Sequence, residues 1–493
     1  MIEVIKFLVI AIYLLTACML MFYGLNSYVM MFLFKRGMHK AAIKRRGVIE
    51  SFDYNNTKLF PPVTTQIPVF NEYNVVERVI RSSCEMDYPE GLHEIQILDD
   101  SNDETVQLID KITHELSKKG HKITVIRREG RKGYKAGALA HGMTMAFGEF
   151  FAIFDADFVP PKDYLLKTIP FFLDEKKLGL VQARWGHLNR KSSLLTRAQS
   201  IGIDGHFMIE QSARNWGGLF MNFNGTAGVW RKEAIIDGGG WQWDTLTEDM
   251  DLSYRVQFKE WQTLYVPDLI VPAEIPEDIN AFKSQQFRWA KGSVETAIKL
   301  FPSICRMKIS LFKKVEAFFH LTHYFVHPLM VILAILSLPF MTLIEKGPGP
   351  FLLSIIAVIL LFSMSAPSAL YIMSQRQVYK NWINRILCLP VLVIIGTGIA
   401  VSNSRAVFEA IIGKKSGFIR TPKKGDVLQK KYKVVLPVSA LIEIALGCYC
   451  LISFIAYMVY GKYLIGPFLV IYTVGFLFTG FLTIAHVKSG ASE

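Results

Sequence analysis

The sequence lacks both of the common glycine-rich loops that bind nucleotide phosphates. It contains no Gly-x-x-x-x-Gly-Lys-Ser/Thr segment and no Gly-x-Gly-x-x-Gly segment, so a kinase, an ATPase and a dinucleotide-binding enzyme all lose support. Cysteine is scarce as well: the six residues among 493 show neither a paired framework nor metal-ligand spacing. Scarce, unpaired cysteines are typical of a chain that faces a reducing compartment.

Hydrophobic residues make up 51% of the chain but are unevenly distributed. They concentrate before residue 34 and beyond residue 316, whereas 60–300 has the composition of a soluble α/β domain. Five apolar runs reach the length of about 20 residues that crosses a bilayer. They are 4–34, 318–344, 351–374, 434–460 and 463–486. A lipoprotein cleavage box at 15–18 is an alternative for the first run, but hydrophobicity that continues to Phe34 favours a retained anchor helix.

The formal net charge of +13 arises largely beside the apolar runs. Six basic residues follow the first run, and nine lie between 405 and 433. Basic segments next to membrane spans mark the cytoplasmic side rather than a nucleic-acid site, so we expect no nucleic-acid partner. A sixth apolar run, 383–402, would place the nine basic residues outside if it crossed the bilayer. We therefore predict that 383–412 lies at the cytoplasmic interface or re-enters it.

These patterns predict an integral protein of the cell membrane (plasma or inner), with its N-terminus outside and its soluble domain in the cytoplasm. The predicted layout is a transmembrane helix (1–36), a basic cytosolic linker (37–59), the soluble domain (60–300), an interfacial segment (301–317), two transmembrane helices (318–374), a cytosolic interfacial helix with a loop (375–433), two transmembrane helices (434–486) and a cytosolic tail (487–493).

A few ionisable residues fall within the predicted spans. Glu443 lies in the fourth span, and His320, His323 and His327 share one helical face of the second. Such residues face a bundle interior or a polar path; hydrogen bonding near the headgroups is the alternative for the histidines.

Within 60–160, short β-rich runs alternate with helical patterns, which predicts a mostly parallel sheet with crossover helices. Ligands of such sheets bind beyond the carboxyl ends of the strands. Asp99 and Asp100 follow the second predicted strand, and Asp155 and Asp157 follow the fourth. Residues two apart at a strand end point to the same side, so Asp155 and Asp157 can share one Mg²⁺ or Mn²⁺ ion. Aspartates are also common turn formers, but two acidic clusters at successive strand ends favour a site for a metal and a diphosphate.

Two later segments allow both a structural and a functional interpretation. Thr247 is expected to cap a helix whose first turn contains Glu248 and Asp249. This pattern is typical of an ordinary helix start. It would also place Asp249 to act as a general base. Arg288 can pair with a departing diphosphate, and Trp289 offers a flat apolar face for a sugar ring. The alternative for Trp289 is the aromatic belt of an interfacial helix.

Eight motifs follow one another in the soluble domain. They are Pro-Val-Phe-Asn-Glu (68–72), Leu-Asp-Asp-Ser (98–101), Gly-Tyr-Lys-Ala-Gly-Ala-Leu (133–139), Phe-Asp-Ala-Asp (154–157), Val-Gln-Ala-Arg-Trp (181–185), Phe-Asn-Gly-Thr-Ala-Gly (223–228), Thr-Glu-Asp-Met-Asp (247–251) and Gln-Gln-Phe-Arg-Trp (285–289). In this order they resemble a family 2 glycosyltransferase of the cellulose-synthase superfamily, similar to the cellulose-synthase-like branches that make β-mannan, glucomannan or β-glucan. The resemblance implies a GT-A-type α/β domain, Rossmann-like with a mostly parallel sheet, inserted between transmembrane helices.

The resemblance also implies an activity. It is an inverting, processive transfer from a nucleotide-diphosphate sugar (GDP-mannose or UDP-glucose), with Mg²⁺ or Mn²⁺, to a growing polysaccharide that is translocated across the lipid bilayer. The alternatives are a single transfer to a lipid acceptor, and a channel with a degenerate binding domain, which would show gaps among the acidic motifs that this sequence does not have.

Residue roles implied by the resemblance fall into five groups. They are the base Asp249; the donor residues Asn71, Glu72, Asp99, Asp100, Lys135, Asp155 and Arg288; the metal ligands Asp155 and Asp157; the acceptor residues Asn224, Gly225, Thr226, Glu248, Gln285 and Trp289; and the gating-loop residues Phe418, Thr421 and Lys423. A helix over 196–214 is expected to touch the acceptor. In the gating-like segment, Arg420 and Pro422 depart from the family pattern.

Overall fold

The computed structural model describes residues 2–342, 349–415 and 437–492. Its first ten helices are α1 (Ile2–Ser51), α2 (Val76–Cys84), α3 (Thr105–Lys118), α4 (Tyr134–Met145), α5 (Ile169–Asp174), α6 (Leu194–Asp204), α7 (Ser212–Trp216), α8 (Lys232–Asp237), α9 (Glu248–Phe258) and α10 (Ile279–Arg306). Those that follow are α11 (Leu311–Thr322), α12 (Val326–Thr342), α13 (Pro350–Val378), α14 (Trp382–Ile386), α15 (Leu389–Gly398), α16 (Ala400–Ile411), α17 (Val438–Val459) and α18 (Gly466–Ser492).

A seven-stranded sheet forms the centre of the soluble domain. Its strands are β1 (Val63–Val69), β2 (His93–Asp99), β3 (Ile123–Ile126), β4 (Phe150–Ile153), β5 (Leu178–His187), β6 (Gly228–Arg231) and β7 (Gln262–Ala273). They lie in the order β3-β2-β1-β4-β6-β5-β7. Only β6 runs antiparallel to its neighbours, β4 and β5, so the predicted mostly parallel sheet is confirmed.

Both faces of the sheet are buried, as is usual where crossover helices cover a mostly parallel sheet. Phe150 and Ala152 pack with α2, α3 and α5 on one face. Their neighbours Phe151 and Ile153 pack with α4, α8 and α9 on the other face. This alternation follows from the two-residue period of a strand. The carboxyl end of β4, which Asp155 and Asp157 follow, opens toward the cleft described below.

In the part of the chain that the structure describes, five helices are long and apolar enough to cross a membrane, and they overlap the five predicted runs. They are Glu3–Ser51, Leu311–Thr342, Pro350–Val378, Val438–Val459 and Tyr463–Val487. Helix α1 does not end with the apolar run: its 50 residues correspond to about 75 Å at 1.5 Å per residue. Its last turns reach the soluble domain, where Arg45 Nη2 lies 2.8 Å from Asp268 Oδ2. Most of the segment expected as a linker is therefore a continuous helix.

The segment predicted to lie at the interface, 383–412, is a bent pair of helices. Trp382–Gly398 and Ala400–Ile411 meet at 44°, the geometry of a broken span or of a re-entrant loop. Its first half packs on α6 and α18, and its second half on α10 and α12. The pair therefore joins the soluble domain to the membrane helices, and its predicted interfacial position stays a prediction.

The second span is interrupted by a 3₁₀ turn at His323–Phe325, between α11 and α12. His320 hydrogen-bonds through Nδ1 with Tyr254 Oη at 2.7 Å and through Nε2 with Asn222 Oδ1 at 3.1 Å. His327 Nε2 lies 3.0 Å from Asn403 Nδ2. His320 and His327 thus bond with other protein segments, which fits the interior interpretation better than the headgroup one.

Candidate active site

A cleft of about 220 Å³ opens at the carboxyl ends of the parallel strands. Twelve of the residues implied by the resemblance line it, although they come from all parts of the domain. These are Glu72, Asp100, Lys135, Asp155, Asp157, Asn224, Gly225, Glu248, Asp249, Gln285, Arg288 and Trp289. We call this space the catalytic cleft.

A lysine and a carboxylate face each other at the base of the catalytic cleft. Lys135, in the first turn of α4, contacts Asp155 Oδ1 and donates a hydrogen bond of 2.8 Å to the carbonyl oxygen of Gly225. Burial favours a neutral amine, but the carboxylates of Asp155, Glu248 and Asp249 outweigh it and raise the pKa of Lys135. Lys135 is therefore a fixed positive charge between Asp155 and the loop 223–228.

Gly225 allows this close approach. Its φ of +81° lies in the left-handed region that favours glycine. A Cβ at this position would meet Asp249 Oδ2 at 3.1 Å and Lys135 Nζ at 3.5 Å. The loop 223–228 can therefore lie against the acidic end of α9 only without a side chain at 225.

Asp249 is held at the start of α9, next to Glu248. Burial, followed by the negative charge of Glu248, raises the pKa of Asp249 to about 7. Burial also raises the pKa of Glu248. A carboxyl group with a pKa near neutrality is suited to proton transfer. The expected capping by Thr247 is wrong in one respect: its hydroxyl makes no cap bond to the helix and instead lies 3.1 Å from Thr296 Oγ1 of α10.

Asp155 and Asp157 provide carboxylate oxygens, which suit a hard divalent cation. The Lys135 ammonium contacts Asp155 Oδ1, so this oxygen is already placed to bind a positive charge. No group of three or more His, Cys, Asp and Glu side chains suited to a metal ion occurs in 2–342, 349–415 or 437–492. Two carboxylates leave further coordination positions, which diphosphate oxygens fill when Mg²⁺ is bound with few protein ligands.

Helix α10 contributes Gln285, Arg288 and Trp289 to the lining of the cleft. Burial lowers the pKa of Arg288, and the nearby charges of Glu248, Asp155 and Asp249 offset only part of this effect. The Trp289 ring lies 6.5 Å from the ring of Trp185, centroid to centroid, at an interplanar angle of 54°. One cleft therefore contains the acids, a guanidinium group and two aromatic rings.

Three of the implied residues do not line the catalytic cleft. Asp99 is buried and accepts hydrogen bonds from Arg127 Nε at 2.8 Å and from the Ser101 backbone at 3.0 Å. Asn71 exchanges hydrogen bonds with Asn102, and Thr226 Oγ1 accepts a bond of 2.9 Å from the Asp155 amide. All three order the loops at the strand ends, and ligand contact by them stays a prediction.

The remaining outcomes concern the implied gating-loop residues, two cleft residues without an assigned role and the helix expected over 196–214. Phe418, Thr421 and Lys423 lie outside the described residues. Cleft-lining residues that were not assigned a role include Trp185 and Arg131. Trp185 belongs to a quoted motif, so that signal was available; Arg131 contacts the Phe70 ring at 3.1 Å, a pairing that no sequence pattern indicates. The helix expected over 196–214 is present, as α6, a π-helical segment (Gly205–Gln211) and α7.

Comparison with known proteins agrees with these features. The family model described as "Glycosyltransferase like family 2" matches residues 61–292. Glucomannan 4-beta-mannosyltransferase 7 of Arabidopsis thaliana is 34% identical over 441 residues, 86% of this chain and 76% of the relative. Probable glucomannan 4-beta-mannosyltransferase 4 of Oryza sativa subsp. japonica is 42% identical over 286 residues, 57% of this chain and 51% of the relative.

Among solved structures, the mannosyltransferase PcManGT from Pyrobaculum calidifontis, in complex with GDP-Man and Mn²⁺, matches with a TM-score of 0.48 and 17% identity, over 79% of this chain and 99% of that one. The Arabidopsis relative is matched over three quarters of its length at more than 30% identity. The chain therefore belongs to the family 2 glycosyltransferases, in the cellulose-synthase-like branch, and is a glycosyltransferase with helices able to span a membrane.

Proposed function

We propose that this protein is a processive, inverting β-glycosyltransferase that extends a β-mannan or glucomannan backbone from GDP-mannose. The observation that carries the chemical part is the position of Asp249: its carboxylate faces the acceptor loop at Gly225 and the Lys135–Asp155 pair, beside Arg288 and Trp289. The preference for mannose rests on the names of the relatives. UDP-glucose is the alternative donor, and a β-glucan the corresponding product.

The donor diphosphate would lie between the strand-end acids and α10. Asp155 and Asp157 would hold Mg²⁺ or Mn²⁺, which when bound supplies positive charge to the diphosphate oxygens. Arg288 would pair with the same diphosphate through its planar donor fork. Lys135 would keep the Asp155 carboxylate oriented and add a further positive charge.

The transfer itself would proceed by direct displacement. The acceptor sugar hydroxyl would lose its proton to an Asp249 carboxylate oxygen while the hydroxyl oxygen attacks the anomeric carbon of the donor. The bond from that carbon to the diphosphate oxygen breaks, and the nucleoside diphosphate leaves with the electron pair. Attack opposite the leaving group inverts the configuration, so an α-linked donor gives a β-linked product.

Processivity is supported by the surroundings of the acceptor loop. Trp289 and Trp185 provide flat walls for sugar rings. Behind the loop, Asn224 Nδ2 lies 3.0 Å from His206 Nε2, and His206 Nδ1 lies 2.9 Å from Glu210 Oε2. His206 and Glu210 lie on the π-helical segment, which packs against the membrane helices α1 and α13, so a growing chain would have hydrogen-bonding partners toward the bilayer.

We also propose that the catalytic cleft faces the cytoplasm, with the N-terminus outside, because the basic segments flank the spans on that side. The gating-like residues Phe418, Thr421 and Lys423 would then act at the cleft.

The experiment is transfer from separate radiolabelled donors in membranes that contain the full-length protein. GDP-mannose, UDP-glucose and UDP-N-acetylglucosamine are each supplied with Mn²⁺, and the product is sized and digested with β-mannanase. We expect a β-mannanase-sensitive ladder with GDP-mannose only. A single-sugar, solvent-extractable lipid product would overturn processive synthesis, and a polymer with UDP-glucose alone would overturn the choice of mannose.

A further inference from the structure

A second pocket, of about 180 Å³, lies apart from the catalytic cleft and shares no lining residue with it. Its polar lining residues are Arg190, Lys191, Arg197, Asn381, Asn384 and Arg385. We call it the basic pocket. Arg190 and Lys191 precede α6 and Arg197 lies within it, and the other three come from the short helix α14 and the residue before it.

The positive charge of the basic pocket is largely uncompensated. Arg385 Nη2 pairs with Asp204 Oδ2 at 3.0 Å. Within the described part of the chain, no carboxylate lies within ion-pair distance of Arg190, Lys191 or Arg197. Arg190 is moreover close enough to Arg385 for the two like charges to repel. Four cations and one neighbouring carboxylate therefore leave a net positive site that an anion would stabilise.

The position of the basic pocket is that of a membrane–water boundary. Helix α13, a candidate span, ends at Val378, a few residues before Asn381. On α14, the side chains of Ile383 and Leu387 are 60% and 74% exposed. They lie one turn apart on a different side of this helix from Asn384 and Arg385, which line the pocket. An exposed apolar surface thus lies next to the cations.

The cations of the basic pocket and the apolar side chains next to them suit a ligand that has both a phosphate group and an apolar part. Guanidinium groups bind phosphate oxygens through paired donors, and the amides of Asn381 and Asn384 can add hydrogen bonds to a polar headgroup. Basic pockets between membrane helices bind anionic lipid headgroups in this way. A soluble phosphate would use the same cations but would leave Ile383 and Leu387 exposed to water.

We infer that the basic pocket binds the phosphate headgroup of an anionic phospholipid, with the acyl chains over Ile383 and Leu387. This inference does not rest on the proposed function, because no residue of the catalytic cleft takes part. The lipid would fix the junction of α13, α14 and α15 against α6 of the soluble domain, which packs on α13, α14 and α15.

The test uses the full-length protein in a non-ionic detergent, with bound lipid counted by native mass spectrometry during titration with dioleoylphosphatidylglycerol or dioleoylphosphatidylcholine. The test variant is Arg190→Gln/Lys191→Gln/Arg197→Gln. The matched control, Lys111→Gln/Lys118→Gln/Lys176→Gln, removes the same charge from exposed positions of the soluble domain. We expect selective retention of phosphatidylglycerol by the wild type and the control, and about a tenfold or larger loss of affinity in the test variant.

Two further measurements distinguish a lipid phosphate from a soluble phosphate and allow for misfolding of the triple variant. Millimolar inorganic phosphate should not displace the bound phosphatidylglycerol; displacement would assign the pocket to a soluble phosphate and overturn the lipid. If the triple variant fails to fold, Lys191→Gln/Arg197→Gln replaces only exposed side chains and should still weaken binding. Equal retention of phosphatidylglycerol by the wild type and the folded variant would refute the inference.

Discussion

The substitution Asp249→Asn tests the chemistry of the catalytic cleft most directly. The amide keeps the shape of the side chain between Gly225 and Glu248 but cannot accept a proton from a sugar hydroxyl. A positioned general base contributes about 10²- to 10⁴-fold to a rate, which corresponds to about 3–5 kcal/mol of activation free energy. We therefore expect kcat to fall by that factor while the affinity for the donor changes little.

The pH dependence of the wild-type enzyme adds a second measurement to this prediction. Burial and Glu248 raise the pKa of Asp249 to about 7, and the base must be ionised to act. One pH unit below its pKa, only about a tenth of the carboxyl group is ionised, so kcat/KM should rise with pH through this range. Glu248→Gln removes one cause of the raised pKa and should move this rise to lower pH, whatever it does to acceptor binding.

The assay combines initial rates of sugar transfer with equilibrium binding of the donor to purified protein. The control is Asp244→Asn, an exposed carboxylate near the same helix start that does not line the cleft. It should retain wild-type rates and the wild-type pH profile. A rate for Asp249→Asn within tenfold of the wild type, or loss of donor binding with turnover intact, would refute the role of Asp249 as the base.

Three other substitutions test neighbouring parts of the site. Asp157→Ala should abolish both transfer and Mn²⁺-dependent binding of the free nucleoside diphosphate, measured by calorimetry; unchanged binding would contradict its role as a ligand. Trp289→Leu should lower polymer yield far more than Trp289→Phe, which keeps a flat face, with donor binding equal in both; equal yields would make Trp289 a membrane-belt residue. Gly225→Ala should lower the melting temperature more than Gly91→Ala. Both glycines have a positive φ, at which an alanine costs about 1 kcal/mol, but only a Cβ at 225 meets neighbouring atoms. Equal decreases in melting temperature would show that the loop 223–228 can move aside.

The parts of the fold predicted from the sequence are those with a local signal. Strands β1 to β4 are short β-rich runs that alternate with helical patterns, and the polar residues after them identify the edge at which sheets of this kind bind ligands. The antiparallel strand β6 lies outside this alternation, and its pairing with β4 and β5 depends on contacts between distant segments. The helical continuation of α1 is likewise stabilised by a distant contact, that of Arg45 with Asp268.

The candidate site likewise has features that the sequence predicts and features that depend on contacts between distant segments. Motifs identify Asp155 after a strand, Asp249 in the first turn of a helix and Arg288 inside a helix, and folding brings all three into one cleft. A motif does not show how deeply a side chain is buried, and the raised pKa of Asp249 depends on its burial as well as on the charge of Glu248. The basic pocket joins two segments almost 200 residues apart, and neither has a recognisable motif of its own.

The segment 285–293 shows how the cleft is tied to the membrane. Gln285, Arg288 and Trp289 face the cleft, while two lysines of the same helix are buried against other helices. Lys283 Nζ lies 2.6 Å from Glu443 Oε1 of α17, and Lys291 Nζ lies 3.4 Å from Glu409 Oε2 of α16.

Removing one partner of a buried ion pair costs about 3–5 kcal/mol when the other charge is left uncompensated. The Lys283–Glu443 pair is of this kind, whereas Glu409 also contacts Arg405 and Lys414. Both lysines join α10, which carries the cleft residues Arg288 and Trp289, to helices α17 and α16. A displacement of α16 or α17 is therefore expected to move Arg288 and Trp289 relative to the acids at the strand ends.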